Sequence, residues 1–126
     1  MPPTHRTLAE RRGKYAETAV CWWFRLSGYR IVARRWRAMT GEIDLIVRRR
    51  RLLVFVKVKY RFDASQNAIP SPAQRRRITA TAALFLAKYQ QFSDHSCRFD
   101  LVTVNHGNFF GIGRITHLKN AWQETA

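Results

Sequence analysis

The first part of the chain shows the apolar spacing of a helix. Between Thr7 and Leu26, apolar or small residues recur at close to helical spacing. They are Leu8, Tyr15, Ala16, Ala19, Val20, Trp23 and Leu26. Ser27 and Gly28 follow, and glycine suits the left-handed position just past a helix end. The pattern predicts a first helix over 7–26.

Three runs rich in β-branched and aromatic residues come next. They cover 29–37 (YRIVARRWR), 42–48 (EIDLIVR) and 52–61 (LLVFVKVKYR). Because their connections are short, we expect an antiparallel meander. The third run is apolar on both alternations as far as Val56, which predicts a strand that is covered on both faces. Helices should therefore lie on both sides of the sheet.

The second half of the chain predicts a helix and a last pair of strands. Ser71 followed by Pro72 and Gln74 has the pattern of a capping box with proline at the first helical position. The helix should run over 72–91, with an inward face made of Ile78, Ala82, Phe85, Leu86 and Tyr89. Strands are expected at 97–105 (CRFDLVTVN) and 109–115 (FFGIGRI), with a turn at 106–108 (HGN).

These elements predict one α/β domain over residues 1–126, in the order α-βββ-α-ββ. The second helix joins the third and fourth strands, so a right-handed crossover would make those two strands parallel. The result would be a central mixed sheet flanked by helices.

The net charge of the chain indicates which class of molecule it binds. The chain has 23 Lys and Arg against 8 Asp and Glu, a formal net charge of +15, and sixteen of the cations lie in residues 1–61. A surface this positive attracts polyanions, so nucleic acid is the expected partner. The alternative for part of the excess positive charge is that it serves only to keep the surface solvated. The candidate nucleic-acid contacts are Arg34, Arg35, Trp36, Arg37, Arg75 and Arg76.

A membrane is not expected as a partner. No run of eighteen apolar residues occurs, and the N-terminal stretch lacks the apolar segment of a secretory signal. We therefore expect a soluble, cytoplasmic protein. Cys21 and Cys97 should be free thiols packed in a reduced interior.

Several single residues allow a structural and a functional interpretation. Trp36, flanked by arginines, is the tryptophan that best suits stacking on a base, and core packing is its alternative. Asp100 is expected to be a buried partner of an arginine rather than a catalytic group. The four histidines show no ligand spacing and are expected at the surface: His5, His95, His106 and His117.

Two strands carry a pattern that is typical of metal-dependent nucleases. Strand alternation puts Glu42 and Asp44 on one face of a strand, with Ile43 and Leu45 on the other. It also puts Lys57 and Lys59 on one face of the next strand. An acid followed about a dozen residues later by acid-x-Lys would hold Mg²⁺ on two carboxylates. Here the first acid and the final lysine are present, but Lys57 stands in place of the second acid.

The chain resembles the YraN-like family of small bacterial proteins. The resemblance covers nearly the whole chain and rests on Gly13 and Glu17, GYRIVARRWR (28–37), GEIDLI (41–46), VFVKVKYR (54–61), QRR (74–76), CRFDLVTV (97–104) and HLKNAW (117–122). It implies a PD-(D/E)XK, restriction-endonuclease-like fold, similar to that of Holliday-junction resolvases. It also implies an active-site acid at Glu17, a metal-holding aspartate at Asp44, a glutamate at position 57 and the lysine at Lys59. This chain departs from the pattern at Lys57.

Lysine at position 57 changes the expected chemistry. An ammonium group has donors and no lone pair, so it cannot ligate Mg²⁺. It could instead pair with Asp44 and Glu17, and no cofactor is then expected. We therefore favour a nucleic-acid-binding protein with a degenerate metal site, and DNA as the nucleic acid.

Two alternatives stay open. Glu42 could supply the missing ligand, which would give an active Mg²⁺-dependent endonuclease or junction resolvase with Asp44 and Glu17 as further ligands. A basic RNA-binding module would explain the charge alone. Because resolvase-like proteins commonly act as dimers, a homodimer also stays open.

Overall fold

In the computed structural model, which describes residues 5–63, 69–109 and 112–123, helices pack on one five-stranded mixed sheet. The elements are α1 (His5–Leu26), β1 (Arg30–Ala38), β2 (Gly41–Arg49), β3 (Leu52–Arg61), α2 (Pro72–Lys88), a 3₁₀ helix (Gln90–Phe92), β4 (Ser96–Phe109) and β5 (Ile112–Leu118). The α-βββ-α-ββ order and the α/β class predicted from the sequence are confirmed.

The strands lie in the order in which they occur in the chain. β1, β2 and β3 form the predicted antiparallel meander, β3 and β4 are parallel, and β4 and β5 are antiparallel. The parallel pair requires a crossover, and α2 lies in that connection as predicted. β3 is therefore the central strand, with two strands on each side of it.

The central strand is covered on both faces, as its doubly apolar pattern predicted. Val54 and Val56 pack in a cluster that includes Val20 and Phe24 of α1. Leu53 and Phe55 pack in a second cluster on the opposite face, which includes Phe85 of α2. All four of these β3 side chains are at most 1% exposed. The two core layers lie on opposite faces of this sheet, so the sheet positions the helices relative to each other.

The helix α1 was predicted correctly, but its apolar positions do not all face the core. Ala16 and Val20 are buried, whereas Tyr15, Trp23 and Leu26 are 51%, 38% and 83% exposed. The buried stripe continues instead through Cys21 and Phe24, which are 2% and 0% exposed. A periodic pattern locates a helix well, but it orients the helix poorly when aromatic residues lie on more than one side of it.

The capping box of α2 is confirmed. The backbone N–H of Gln74 donates to Ser71 Oγ at 3.2 Å, and the backbone N–H of Ser71 donates to the side-chain oxygen Oε1 of Gln74 at 3.0 Å. The inward face is also confirmed, since Ile78, Ala82 and Phe85 are buried. The helix ends three residues earlier than predicted, because Tyr89 adopts φ −113° and ψ 77° and the chain enters the 3₁₀ turn.

The predicted turn at 106–108 is wrong. β4 continues through these residues to Phe109, and its pairing with β5 shifts register between Val104 and His106 and again between His106 and Phe109. A bulge accommodates extra residues in a paired strand, so glycine and asparagine at 107 and 108 do not have to mark a turn. β5 consequently begins and ends three residues later than predicted.

The cysteine prediction is half correct. Both cysteines are free, and Cys21 is buried, but Cys97 is exposed near the start of β4, so its predicted interior position is wrong. Within the described residues, no helix is long and apolar enough to cross a membrane.

The packing of α2 predicts a contrast between two neighbouring residues. Phe85 is 1% exposed and contacts the rings of Trp36, Phe55 and Phe92, whereas Leu84 is 42% exposed. Phe85→Ala should lower the free energy of unfolding by about 3–5 kcal/mol, because it leaves a cavity in the α2-side core. Leu84→Ala should change it by less than about 0.5 kcal/mol. Urea unfolding followed by circular dichroism measures both, and equal losses would contradict the assigned helix face.

Candidate functional site

Asp44 lies at the point where β2 and β3 stop pairing. The ladder between these strands runs from Arg49 opposite Leu52 to Leu45 opposite Val56. Beyond it, Asp44 Oδ2 accepts a hydrogen bond from the Val58 amide at 2.7 Å, in place of a further backbone pair. The Asp44 side chain is 20% exposed. The carboxylate is thus held at the fork between the two strands.

Strand alternation fails at this fork. Ile43 packs in the cluster on the α2 side of the sheet, and Leu45 packs in the cluster on the α1 side. The prediction that these two residues share a face is therefore wrong. Glu42 and Asp44 also line different clefts: Asp44 lines a small cleft with Glu17, and Glu42 lines a cleft with Lys57 beside α2.

Lys57 is the cation that pairs with Asp44. Its Nζ lies 3.4 Å from Asp44 Oδ2, and its side chain is 34% exposed. Burial raises the pKa of Asp44, and the Lys57 charge and the Val58 amide lower it without offsetting the burial. Lys57 therefore relieves only part of the cost of holding this carboxylate charged.

Glu17 pairs with Arg35, so the expected pairing of Glu17 with Lys57 is wrong. Arg35 Nε and Nη2 donate to Glu17 Oε2 at 3.0 and 2.6 Å, and Nε also lies 3.2 Å from Oε1. The hydrogen bonds and charge of Glu17 raise the pKa of Arg35. Arg35 has a left-handed backbone with φ 50°, which is unusual for a non-glycine residue in a strand. The sequence did not predict the pairing of Arg35 with Glu17, because the alternation of side chains along a strand does not apply to a residue with a left-handed backbone.

The residues present do not fit a magnesium site. Glu17 and Asp44 have cation partners, and Glu42 accepts from Arg37 at 3.1 Å. Across the described ranges, no three His, Cys, Asp or Glu residues lie close enough together to hold a metal ion. Lys59 lies two residues after Lys57 on β3 and is partly exposed, but it does not line the Glu17–Asp44 cleft. Fixed side-chain cations, rather than a set of oxygen ligands, characterise this site.

The arginines predicted to contact nucleic acid divide into two groups on β1 and α2. Arg34 is exposed and lines the Glu17–Asp44 cleft, whereas Arg35 and Arg37 are engaged with carboxylates. Arg75 and Arg76, in the first turn of α2, line a separate groove with Trp122.

Trp36 takes part in the core. Its ring packs edge-on against Phe85 at 5.3 Å and against Tyr89 at 6.4 Å between ring centroids. It is partly exposed, and its contacts match the core alternative rather than a free stacking surface.

Asp100 has the predicted structural role. It is 0% exposed and accepts from Arg98 Nε and Nη2 at 2.8 and 2.9 Å. The Asn120 amide donates to it at 3.0 Å, and His117 Nε2 lies 2.7 Å away. Burial opposes its ionisation, but the hydrogen bonds from His117, Arg98 and Asn120 together lower the pKa of Asp100. Trp23 Nε1 donates to His117 Nδ1 at 3.2 Å, so Nε2 of that histidine carries the proton that Asp100 accepts.

The surface prediction holds for only one histidine that the structure describes. His106 is exposed, but the side chains of His95 and His117 are only 9% and 8% exposed. His117 is covered because β5 extends past the predicted end and pairs it with Val102. The side chain of His5 lies outside the described residues.

Sequence comparison assigns this α/β domain to a family. The family described as "Uncharacterised protein family UPF0102" matches residues 16–104. A UPF0102 protein of Parvibaculum lavamentivorans is 42% identical over 123 residues, which is 96% of this chain and 88% of that protein. One of Paramagnetospirillum magneticum is 43% identical, with coverage of 97% and 95%. The chain therefore belongs to the UPF0102 family, which confirms the YraN-like resemblance.

One solved structure is also similar. It is SfsA of Pyrococcus furiosus in complex with Ca²⁺, with 14% sequence identity and a TM-score of 0.40. The similarity covers 88% of this chain and 63% of that protein.

The Asp100 network predicts a change in acid stability. Because the folded state lowers the pKa of Asp100, its stabilisation is present above the unfolded-chain pKa of about 3.9 and is lost as the pH falls through the lower folded-state value. Asp100→Asn should cost about 3 kcal/mol or more at neutral pH, since it leaves Arg98 unpaired. The difference from the parent protein should shrink below about pH 4.

Denaturant unfolding at a series of pH values measures this effect. Asp94 is a control for an exposed carboxylate: its side chain is 55% exposed and pairs with Arg51 and His95, and asparagine can keep a hydrogen bond to either partner. Asp94→Asn should unfold at nearly the same denaturant concentration as the parent at neutral pH. A loss in Asp100→Asn that does not depend on pH would contradict an ionised Asp100.

Proposed function

We propose that this protein binds nucleic acid, with DNA favoured over RNA, through a nuclease-like site that no longer holds a catalytic metal ion. The observation that carries the proposal is the ion pair between Lys57 and Asp44, with 3.4 Å between Nζ and Oδ2. A fixed ammonium group here takes the electrostatic role that a divalent cation would have beside Asp44.

The chemistry of lysine supports a loss of metal binding. Its ammonium group offers three donors and no lone pair, and its charge repels a divalent cation. The partner of Glu17 acts in the same direction, because a bidentate guanidinium occupies both carboxylate oxygens. A metal ion would have to displace Lys57 and Arg35 before it could bind the carboxylates of Asp44 and Glu17.

The net charge supports a polyanionic partner. A formal charge of +15 on 126 residues favours phosphate contacts and fast, salt-sensitive association. The resemblance to junction resolvases favours DNA among the polyanions.

The geometry disfavours Glu42 as a replacement ligand. Its carboxylate pairs with Arg37, and it lines the cleft beside α2 rather than the one shared by Glu17 and Asp44. Binding and cleavage assays distinguish the proposed function from the two alternatives, an endonuclease and an RNA-binding module.

Binding and cleavage assays separate the three functions. The proposal predicts that the protein binds duplex or branched DNA, that binding weakens steeply with salt, and that Mg²⁺ or Mn²⁺ produces no cleavage. Cleavage that Asp44→Ala abolishes would establish an endonuclease, and markedly tighter binding to RNA would favour the RNA-binding module. Both of those results contradict the proposal.

Restoring the missing acid gives a second prediction. Lys57→Glu should bind Mg²⁺ measurably by calorimetry, whereas the parent protein should not, because the variant replaces the ammonium with a second oxygen ligand. Arg114→Glu makes the same charge change at an exposed position of β5 and should gain no binding. A folded Lys57→Glu variant without Mg²⁺ binding, or a parent protein that binds Mg²⁺ equally well, would contradict the degenerate site.

A further inference from the structure

We infer that Lys57 and Arg77 together bind a phosphodiester group of the nucleic acid, in the cleft between the end of β2, β3 and the start of α2. This cleft is called the α2 cleft below, and its lining residues are Gly41, Glu42, Lys57, Gln74, Arg77 and Ile78. The inference rests on the proposed function and names the atoms that would contact the polyanion.

Lys57 has hydrogen-bonding capacity left after it pairs with Asp44. Its side chain is 34% exposed, and its contact with one Asp44 oxygen is long, at 3.4 Å. An ammonium group carries three N–H donors, so two remain after one contacts Asp44. Lys57 lines the α2 cleft, and the same side chain can therefore contact Asp44 and donate hydrogen bonds to a ligand there.

Arg77 brings a second cation into this cleft from α2. It is exposed, and within the described ranges its guanidinium has no ion pair. Its backbone carbonyl accepts from the Thr81 hydroxyl at 2.8 Å, which is an ordinary contact within the helix. A guanidinium without a carboxylate partner is suited to a phosphate, whose oxygens match its planar donors.

Gln74 adds a neutral donor. Its Oε1 accepts from the Ser71 amide in the capping box, so this oxygen is held at the helix start. The side-chain nitrogen is attached to the same fixed amide group and keeps its N–H donors for a ligand. A phosphate in the α2 cleft would thus meet two cations and one preorganised amide.

The acids near this cleft do not cancel its charge. Glu42 is paired with Arg37 at 3.1 Å, and Asp44 is paired with Lys57. Because each of these two ion pairs is neutral, Arg77 gives the α2 cleft a net positive charge. The first turn of α2 has no acidic residue, so nothing in that turn opposes an anion.

The β1–β2 turn, which contains Thr40 and Gly41, packs against α2 at the α2 cleft. The Gly41 φ of 147° is a conformation that other residues rarely adopt, and a Cβ built there would lie 3.6 Å from Thr81 Oγ1 and 3.9 Å from Arg77 Cβ. The Thr40 and Thr81 hydroxyl oxygens, 2.6 Å apart, join the β1–β2 turn to α2. These contacts hold α2, which carries Arg77, against the β1–β2 turn at one side of the cleft.

Salt-dependent DNA binding tests the inference. The probe is a fluorescein-labelled duplex oligonucleotide, and anisotropy titrations over a series of KCl concentrations give the slope of log Kobs against log[salt]. Lys57→Gln and Arg77→Gln should each reduce the magnitude of the slope by about 1, and the double variant by about 2, because each removes one phosphate contact. Arg114→Gln, which lies on β5 and outside the α2 cleft, should leave the slope unchanged.

The outcomes distinguish this inference from the proposed function. If the parent protein binds DNA with a steep salt dependence but both variants keep the slope of Arg114→Gln, the α2 cleft is not the phosphate site and the proposed function stands. If the parent protein binds no nucleic acid at low salt, the proposed function itself fails. Thermal unfolding verifies that each variant is folded. Should Lys57→Gln not fold, Arg77→Gln decides alone, and Arg77→Lys should recover most of the slope.

Discussion

The structure around the site depends on a carboxylate held where two strands separate. Asp44 accepts a hydrogen bond from the Val58 amide, which lies beyond the end of the β2–β3 ladder. The Asp44 side chain therefore stabilises the backbone of β3 as well as forming part of the site. Because the position is largely covered, the negative charge needs a cation nearby. Lys57 supplies that cation from the adjacent strand, and its charge makes the site unsuited to a divalent metal.

The same principle operates on both sides of the sheet. On the α1 side, Glu17 is held by Arg35, which requires an unusual left-handed backbone in β1. On the α2 side, Glu42 is held by Arg37. Glu17, Glu42 and Asp44 are thus each matched with a side-chain cation, and lysine stands at position 57, where the family pattern has an acid. The charge of these carboxylates is therefore balanced by side chains of the protein.

Some parts of the fold were predictable because they depend on local chemistry. The capping box at Ser71 and Gln74, the doubly apolar pattern of β3 and the short connections of the meander each have a direct physical meaning over a few residues. The errors share a different cause. Glycine and asparagine at 107 and 108 predicted a turn, whereas bulges keep these residues within β4. β5 therefore extends to Leu118 and covers His117, which was expected at the surface. Register shifts of this kind depend on the partner strand, which the local sequence does not describe.

By itself, the sequence determined the element order, the positive charge and the presence of lysine rather than an acid at position 57, because these follow from residue type and spacing. Only the tertiary structure decided which charges meet. Arg35 pairs with Glu17, and Glu42 and Asp44 line separate clefts although they are two residues apart. The physical reason is that strand alternation breaks at the fork and at the left-handed Arg35. Side-chain directions there are set by packing and hydrogen bonding between distant segments.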